Sequence, residues 1–356
     1  MDPVLDKGFR SPQLAAFGTT FLGPLLNFFA GELLQDAEKH KQKLFFLARE
    51  GYWLEKAYQT HVQGSEKHSE SEYLLASRAF MFKVMLDDPR SYPYSLKNEF
   101  NGTFYELLRS RFLISNSSIQ QIFGLETQQT TISLPKDLNK VRKVLLSNQK
   151  ALTDLIEPTK TAYLKYLNSI GATKGLVLHL VDVGYSGTIQ KLMTLLLEKD
   201  TVGHYLISSK PGVHQVKGNT ATMKGCLQEG VKLRDGYIPL DRSMFLEALM
   251  TAPNGQFQDI RMNELIENKF DFYYGRQVNA QKYFHELEQV MNGAIEHVNH
   301  CAYHGIAYSG AEVETIYSHY VTYRNMIPRS SHHLFAIDDD VAGNGTVDSL
   351  QFFGLK

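Results

Sequence analysis

Seven consecutive residues, Asp182-Val183-Gly184-Tyr185-Ser186-Gly187-Thr188, combine a carboxylate, two glycines and the hydroxyls of Ser186 and Thr188. If a helix starts where this run ends, its first N–H groups lack intrahelical partners and point into the turn, with the positive end of the helix dipole behind them. An anion is stabilised in such a place. Ser186 and Thr188 add hydroxyl donors, and Gly184 and Gly187 let the backbone come close, so a phosphate suits the turn better than a neutral ligand. The plainer alternative is an ordinary connection in which Ser and Thr cap a helix. Asp182 weighs toward a ligand, because a carboxylate ending a buried strand needs a ribose hydroxyl, a metal or a backbone donor to offset its lost hydration.

Two further stretches carry arginines: Arg49-Glu50-Gly51 follows Leu44-Phe45-Phe46-Leu47, and Ser77-Arg78 follows Tyr73-Leu74-Leu75-Ala76. Guanidinium groups present paired N–H donors that fit pyrophosphate. The bland alternative pairs Arg49 with Glu50 or a neighbour at the surface. Glu247 lies in the apolar segment MFLEALMTAPNGQF, residues 244–257. Shielding from water raises a carboxyl pKa and suits it to take a proton from a hydroxyl, though a core salt bridge or a helix cap accounts for it as well. His297, His300, Cys301 and His304 share one helix face. Residues two turns apart on a straight helix lie about 10 Å from each other, which argues against a closed tetrahedral site, so a polar face is expected and no metal ligands are assigned.

The elements that must position these groups follow from apolar spacing. Leu176 to Val181 is an apolar run broken only by His179, and Leu192, Met193, Leu195, Leu196 and Leu197 suit a buried helix, so strand, turn and helix are expected in that order. The same design is expected from Leu44 to Tyr58, with a third strand over Tyr73–Ala76. In a parallel sheet the C-terminal strand ends share one edge, which predicts that Arg49, Arg78 and residues 182–188 face a single crevice. One ligand with phosphates at both ends of a sugar satisfies both halves. Residues 14–38 read as two helical pieces broken at Gly23-Pro24, packed in the core rather than on a membrane surface, because basic residues are lacking. Residues 81–170, with helices expected at Phe104–Phe112 and Leu138–Leu167, read as a mostly helical cap over the crevice. A strand is expected at His204–Ser208, loops over 225–241, and helices over 264–324. Asp338-Asp339-Asp340-Val341 and Gly343-Asn344-Gly345 read as turns.

With 356 residues, 43% of them hydrophobic, the chain can bury a sizeable core. Residues 101–200 hold 12 Lys/Arg against 8 Asp/Glu, too small a surplus for nucleic-acid binding. Cys226 and Cys301 make no disulfide framework and suit a reducing cytoplasm. Neither a secretory leader pattern nor an apolar run of about 18 residues is present, so no transmembrane segment is expected.

The stretch around Asp182 resembles the loop of type I phosphoribosyltransferases that cradles the 5-phosphate of phosphoribosyl pyrophosphate. Asp182 matches the second acid of that loop, Ser186-Gly187 its Thr-Gly pair, and Thr188 supplies a further hydroxyl. Val181 stands where the family has its first acid, and the Thr is displaced by one residue. In their order along the chain, LFFLAREGYWL, YLLASRAF and VDVGYSGTIQ also resemble a domain of bacterial cell-surface polysaccharide enzymes, one often joined to a haloacid-dehalogenase-type phosphatase. The similarity runs from about Phe17 to Phe257.

The resemblance implies an α/β fold of the type I phosphoribosyltransferase kind: a mostly parallel sheet with a helical cap insertion at about 81–170, within residues 1–260, and a mostly helical region over 261–356. It implies transfer of 5-phosphoribose from phosphoribosyl pyrophosphate to a sugar hydroxyl of a surface polysaccharide or lipid-linked glycan, with release of pyrophosphate and with Mg²⁺ as cofactor. A dehalogenase-type phosphatase then acts on the product. Arg49, Gly51 and Arg78 fall to the pyrophosphate, and Asp182, Gly184, Tyr185, Ser186, Gly187 and Thr188 to the ribose and 5-phosphate. Glu50, Glu247 and Asp182 are the candidate catalytic carboxylates. A cytoplasmic protein, peripheral at the inner membrane, is expected. The competing class is a non-catalytic phosphosugar- or nucleotide-binding module of a polysaccharide-assembly complex.

Overall fold

Helix α1 (Pro12–Phe21) places Leu14, Phe17 and Phe21 on one buried face and ends at Leu22, where Gly23-Pro24 starts α2 (Gly23–His40). Proline fits the first turn of a helix but not its interior, so the break falls there. The computed structural model describes residues 11–40, 42–63, 70–339 and 345–356. Strand β1 (Leu44–Leu47), helix α3 (Gly51–Gln63) and strand β2 (Ser71–Leu74) follow, then α4 (Arg78–Val84) and α5 (Tyr92–Ser95). Strands β3 (Phe100–Thr103) and β4 (Thr131–Leu134) flank α6 (Phe104–Phe112) and α7 (Asn116–Phe123). Helices α8 (Leu138–Ser147) and α9 (Gln149–Ser169) lead to β5 (Val177–Asp182), α10 (Thr188–Leu197), β6 (Asp200–Ser208), β7 (Gly212–Val216) and β8 (Asn219–Glu229). Short helices α11 (Ile238–Asp241) and α12 (Met244–Leu249) precede the hairpin of β9 (Phe257–Met262) and β10 (Phe270–Tyr274). The chain continues through α13 (Asn279–Lys282), α14 (Phe284–His304), α15 (Gly310–Thr322), the pair β11 (Ala336–Asp339) and β12 (Gly345–Asp348), and α16 (Ser349–Phe352).

Six strands form one sheet in the order β2-β1-β5-β6-β8-β7, parallel except for β7 at the edge. The protein is therefore α/β, with a mostly parallel sheet flanked by helices. Alternation along the strands feeds two cores, as the pleat requires. Leu44, Phe46 and Val181 pack with α1, α2, α3 and α14, whereas Phe45, Leu47, Leu178 and Leu180 pack with α4, α9 and α10.

Residues 81–170 are mostly helical, as expected, with the addition of the β3–β4 pair. Their apolar side chains share a core with one face of the sheet, so α4 and α9 form a flanking layer. The third strand stops at Leu74 rather than Ala76. Hydroxyls from α9 take the ladder positions of Leu75: its N–H donates to Tyr166 Oη at 3.0 Å and its carbonyl accepts from Tyr163 Oη at 3.0 Å. Leu138–Leu167 is two helices broken at Asn148, and the helix at residue 244 ends at Leu249. Strand β8 occupies the start of the stretch expected to be loop, and β10 interrupts the helices expected over 264–324. The turn residues expected at 340, 341, 343 and 344 lie outside the described residues.

Helix α14 lies against α1 across residues 15–18 and 290–293, so the region after 260 shares a core with the N-terminal helices. No single helix among the described residues is long and apolar enough to cross a membrane. The α1–α2 pair, bent by 45°, buries its apolar side chains in that core.

Candidate functional site

The strand order reverses at β1 and β5. From β1 the chain runs through α3 on one face to β2; from β5 it runs through α10 on the other face to β6. Diverging connections open a crevice beyond the strand ends, where open α/β sheets bind ligands. Phe46 pairs with Val181, and one further step brings Leu47 level with Asp182. The turns after β1 and β5 therefore start side by side.

The first turn is Ala48-Arg49-Glu50. Ala48 N–H donates to the Leu74 carbonyl at 3.0 Å, and Arg49 N–H donates to Glu50 Oε2 at 3.1 Å. At Gly51 an added Cβ would lie 2.6 Å from the Phe46 carbonyl carbon, so only glycine lets α3 start this close to the strand. The Trp53 indole N–H donates to the Thr251 carbonyl at 3.0 Å and ties α3 to the segment after α12. Arg78 differs from its expected place at a strand end: it opens α4. Ser77 caps that helix, its Oγ accepting from Phe80 N–H at 3.1 Å and donating to the Phe257 carbonyl at 2.7 Å.

The second turn hangs on β6. Ser209 N–H and Oγ each donate to the Tyr185 carbonyl at 2.9 Å, and Ile207 N–H donates to the Val183 carbonyl at 3.1 Å. A Cβ at Gly184 would lie 2.4 Å from the Ile207 carbonyl oxygen. Gly187 has φ 65° and occupies the N-cap of α10, which has no side-chain cap. The alternative in which Ser and Thr cap the helix is thus not what the chain adopts, and the Ser186 and Thr188 hydroxyls lie 3.4 Å apart at the turn. Below them, buried Gln190 accepts from Tyr205 Oη at 2.8 Å and donates to the Thr222 carbonyl at 2.9 Å, fixing α10 to β6 and β8. Both turns contain a cis peptide bond, Ala48–Arg49 and Gly184–Tyr185.

The third contributor is Glu247 on α12, whose Oε1 accepts from Ser243 Oγ at 3.4 Å. Burial and the neighbouring Glu50 push its carboxyl up to about 7, against the pull of Arg49 and Arg78. Asp182 is also held well above the usual carboxylate range, by burial first and then by Glu50 and Glu247, while the Val183 N–H and Arg78 oppose the shift. The Tyr185 hydroxyl is raised by burial and by Glu247. Asp182 and Glu247 thus lie in the field of Glu50, Arg49 and Arg78. Arg78 is exposed at the mouth, whereas Arg49, Glu50, Asp182 and Glu247 are half-buried.

All of the residues singled out from the sequence as site candidates lie at this one edge. Sequence reasoning missed Ser243, Tyr317 and a set of lysines beside the second turn. Tyr317 Oη donates to the Arg242 carbonyl at 2.7 Å and its own pKa is raised by burial and by Glu247. Elsewhere, a concavity of about 300 Å³ is lined by Lys83, Asp259, Arg261 and Tyr273 among others. Its charges are satisfied internally, Asp259 Oδ2 standing 3.0 Å from both Lys83 and Arg261. His297 bonds Tyr308 Oη at 2.9 Å, and among the described residues no group of three or more His, Cys, Asp or Glu is placed to hold a metal ion. The chain matches no model of a known protein family and has no match among curated proteins.

Proposed function

We propose that the protein is a phosphoribosyltransferase that moves 5-phosphoribose from phosphoribosyl pyrophosphate to a sugar hydroxyl of a bacterial surface glycan. The observation that carries this reading is the meeting of Arg49 and Arg78 with Asp182, Glu50 and Glu247 beside the Ser186-Gly187-Thr188 turn. Cationic donors at one side and a hydroxyl-lined helix start at the other suit a sugar phosphorylated at both ends.

In this reading Arg49 and Arg78 hold the pyrophosphate and stabilise the charge that grows on it as the C1–O bond breaks. Ser186, Thr188 and the backbone from Gly184 to Gly187 hold the 5-phosphate, with Tyr185 alongside, and Asp182 orients the ribose hydroxyls. The acceptor oxygen attacks C1 from the opposite side, pyrophosphate leaves with the bonding electrons, and the acceptor proton passes to a carboxylate. Glu247, poised near neutrality, is the favoured base, with Glu50 its neighbour. The α donor then gives a β-ribofuranoside. Hard carboxylate oxygens and a diphosphate form a donor set that suits Mg²⁺, which commonly binds through one or two carboxylates plus substrate phosphates. Magnesium supplies charge neutralisation on the leaving group, with Asp182 and Glu50 the residues that would hold it. A phosphatase of the haloacid-dehalogenase type, acting next, would remove the 5-phosphate.

Pyrophosphate release tests the reading. With donor, Mg²⁺ and lipid-linked or polysaccharide acceptor, wild type should release pyrophosphate and Arg78→Ala should release none, with its unfolding curve unchanged. Full activity in that variant removes Arg78 from the mechanism. Val181, in place of a first acid, favours a second reading: a module that binds the phosphosugar without turnover. Donor binding with no pyrophosphate release from wild type would establish it.

A further inference from the structure

Four lysines from separate parts of the chain gather beside the second turn. Lys210 follows Ser209, whose bonds to the Tyr185 carbonyl fix it there. Lys191 lies in the first turn of α10, its N–H donating to the Gly187 carbonyl at 3.0 Å. Lys97, from the insertion, stands beside Lys210, and Lys232, beyond β8, adds its charge to the same spot. Lys191 is half-buried and the other three are exposed. None of the four ammonium groups belongs to an ion pair among the described residues. The nearby Asp235 is engaged with the Lys232 backbone N–H at 3.0 Å.

This arrangement opposes folding on its own. Two neighbouring ammonium groups have only donors to offer each other, and lysine at the start of a helix faces the positive end of the dipole. Mutual repulsion lowers the proton affinity of Lys210, and burial followed by Lys210 and Lys97 lowers that of Lys191. A multiply charged anion between them turns each repulsion into an attraction.

We propose that Lys97, Lys191, Lys210 and Lys232 form a site for a dianionic phosphate ester, completing the Ser186–Thr188 turn and drawing the insertion onto it through Lys97. This deepens the transferase reading by making the 5-phosphate, rather than the sugar, the group that recruits the donor. The site also ties the insertion to ligand binding, because Lys97 is the only one of the four that lies within residues 81–170.

The test is calorimetric titration of the full chain with ribose 5-phosphate, ribose and inorganic phosphate, in wild type, Lys97→Gln/Lys210→Gln and the remote control Lys143→Gln. Wild type and the control should bind ribose 5-phosphate and ignore ribose. The double variant should bind about tenfold more weakly or worse, with a flatter dependence on salt. Its melting temperature in phosphate-free buffer should be no lower than that of wild type, since repulsion is removed. Phosphate should raise the wild-type melting temperature more than that of the variant. Equal affinity of wild type and double variant for ribose 5-phosphate overturns the proposal, as does wild-type binding of ribose with equal strength. Phosphate binding that follows this pattern without any pyrophosphate release supports the lysine site and sinks the transferase reading. Release of pyrophosphate with lysine-independent binding does the reverse.

Discussion

Glu247 is the carboxyl group whose charge state decides most, because its ordinary pKa of 4.5 is pushed to about 7 by burial and Glu50. If it takes the acceptor proton, the transfer rate should rise as pH increases through about 7 and level off above, and Glu247→Gln should remove that rise along with most of the activity. Stability runs the other way. A carboxyl whose folded pKa is raised favours the folded state below the unfolded pKa, and that contribution is lost as pH climbs through the folded value. Urea unfolding from about pH 5 to about pH 8 should therefore show wild type losing stability that Glu247→Gln retains. Asp182→Asn should weaken donor binding by about 1–3 kcal/mol, measured by calorimetry with a non-reacting donor. An unchanged affinity would remove Asp182 from the ribose site. The apolar surroundings of Glu247 were legible in the sequence. Its partners were not, because Arg49, Glu50 and Arg78 reach it only through the fold, as Lys97 reaches Lys210.

The elements that hold these groups depend on a few small residues. Ser77→Ala removes the cap of α4 and the tie to Phe257, and should lower stability by about 1 kcal/mol in denaturant titration while weakening pyrophosphate binding through Arg78. Gly187→Ala combines a backbone at φ 65° with a Cβ placed 2.5 Å from Met223 Cε, and should cost about 1 kcal/mol or more and loosen the turn over residues 182–188. Native stability in either variant would show that the cap or the turn is dispensable. Strand β1 and helix α10 were readable because short apolar runs end in turn residues and the 3.6-residue spacing of Leu192, Met193 and Leu195 is clear. The end of β2 was not readable, since Tyr163 and Tyr166 of a distant helix decide it. The β7–β8 hairpin also went unread: its edge strand exposes Val213 and alternates polar residues without a marked apolar face.

At the scale of the molecule, composition indicates a large core, but only the fold shows that one core joins residues as far apart as Leu14 and Leu350. Gly18 and Gly293 make that possible: a Cβ at Gly18 would stand 1.7 Å from the Val290 carbonyl oxygen, and one at Gly293 would stand 2.1 Å from that of Ala15. Gly18→Ala should push α1 from α14 and lower stability by about 1–3 kcal/mol, read from the unfolding midpoint. A chain cut after residue 260 should fail to fold, because Leu14, Phe17 and Phe21 lose the surface they bury against. Well-dispersed amide resonances from that fragment would contradict this. The central claim is that one sugar with phosphates at both ends bridges the two turns where the strand order reverses. A crystal structure with phosphoribosyl pyrophosphate and Mg²⁺ tests it most directly. The expected density places pyrophosphate on Arg49 and Arg78 and the 5-phosphate at Ser186, Gly187 and Thr188; a donor bound away from that edge, or with only one of its phosphates there, contradicts the claim.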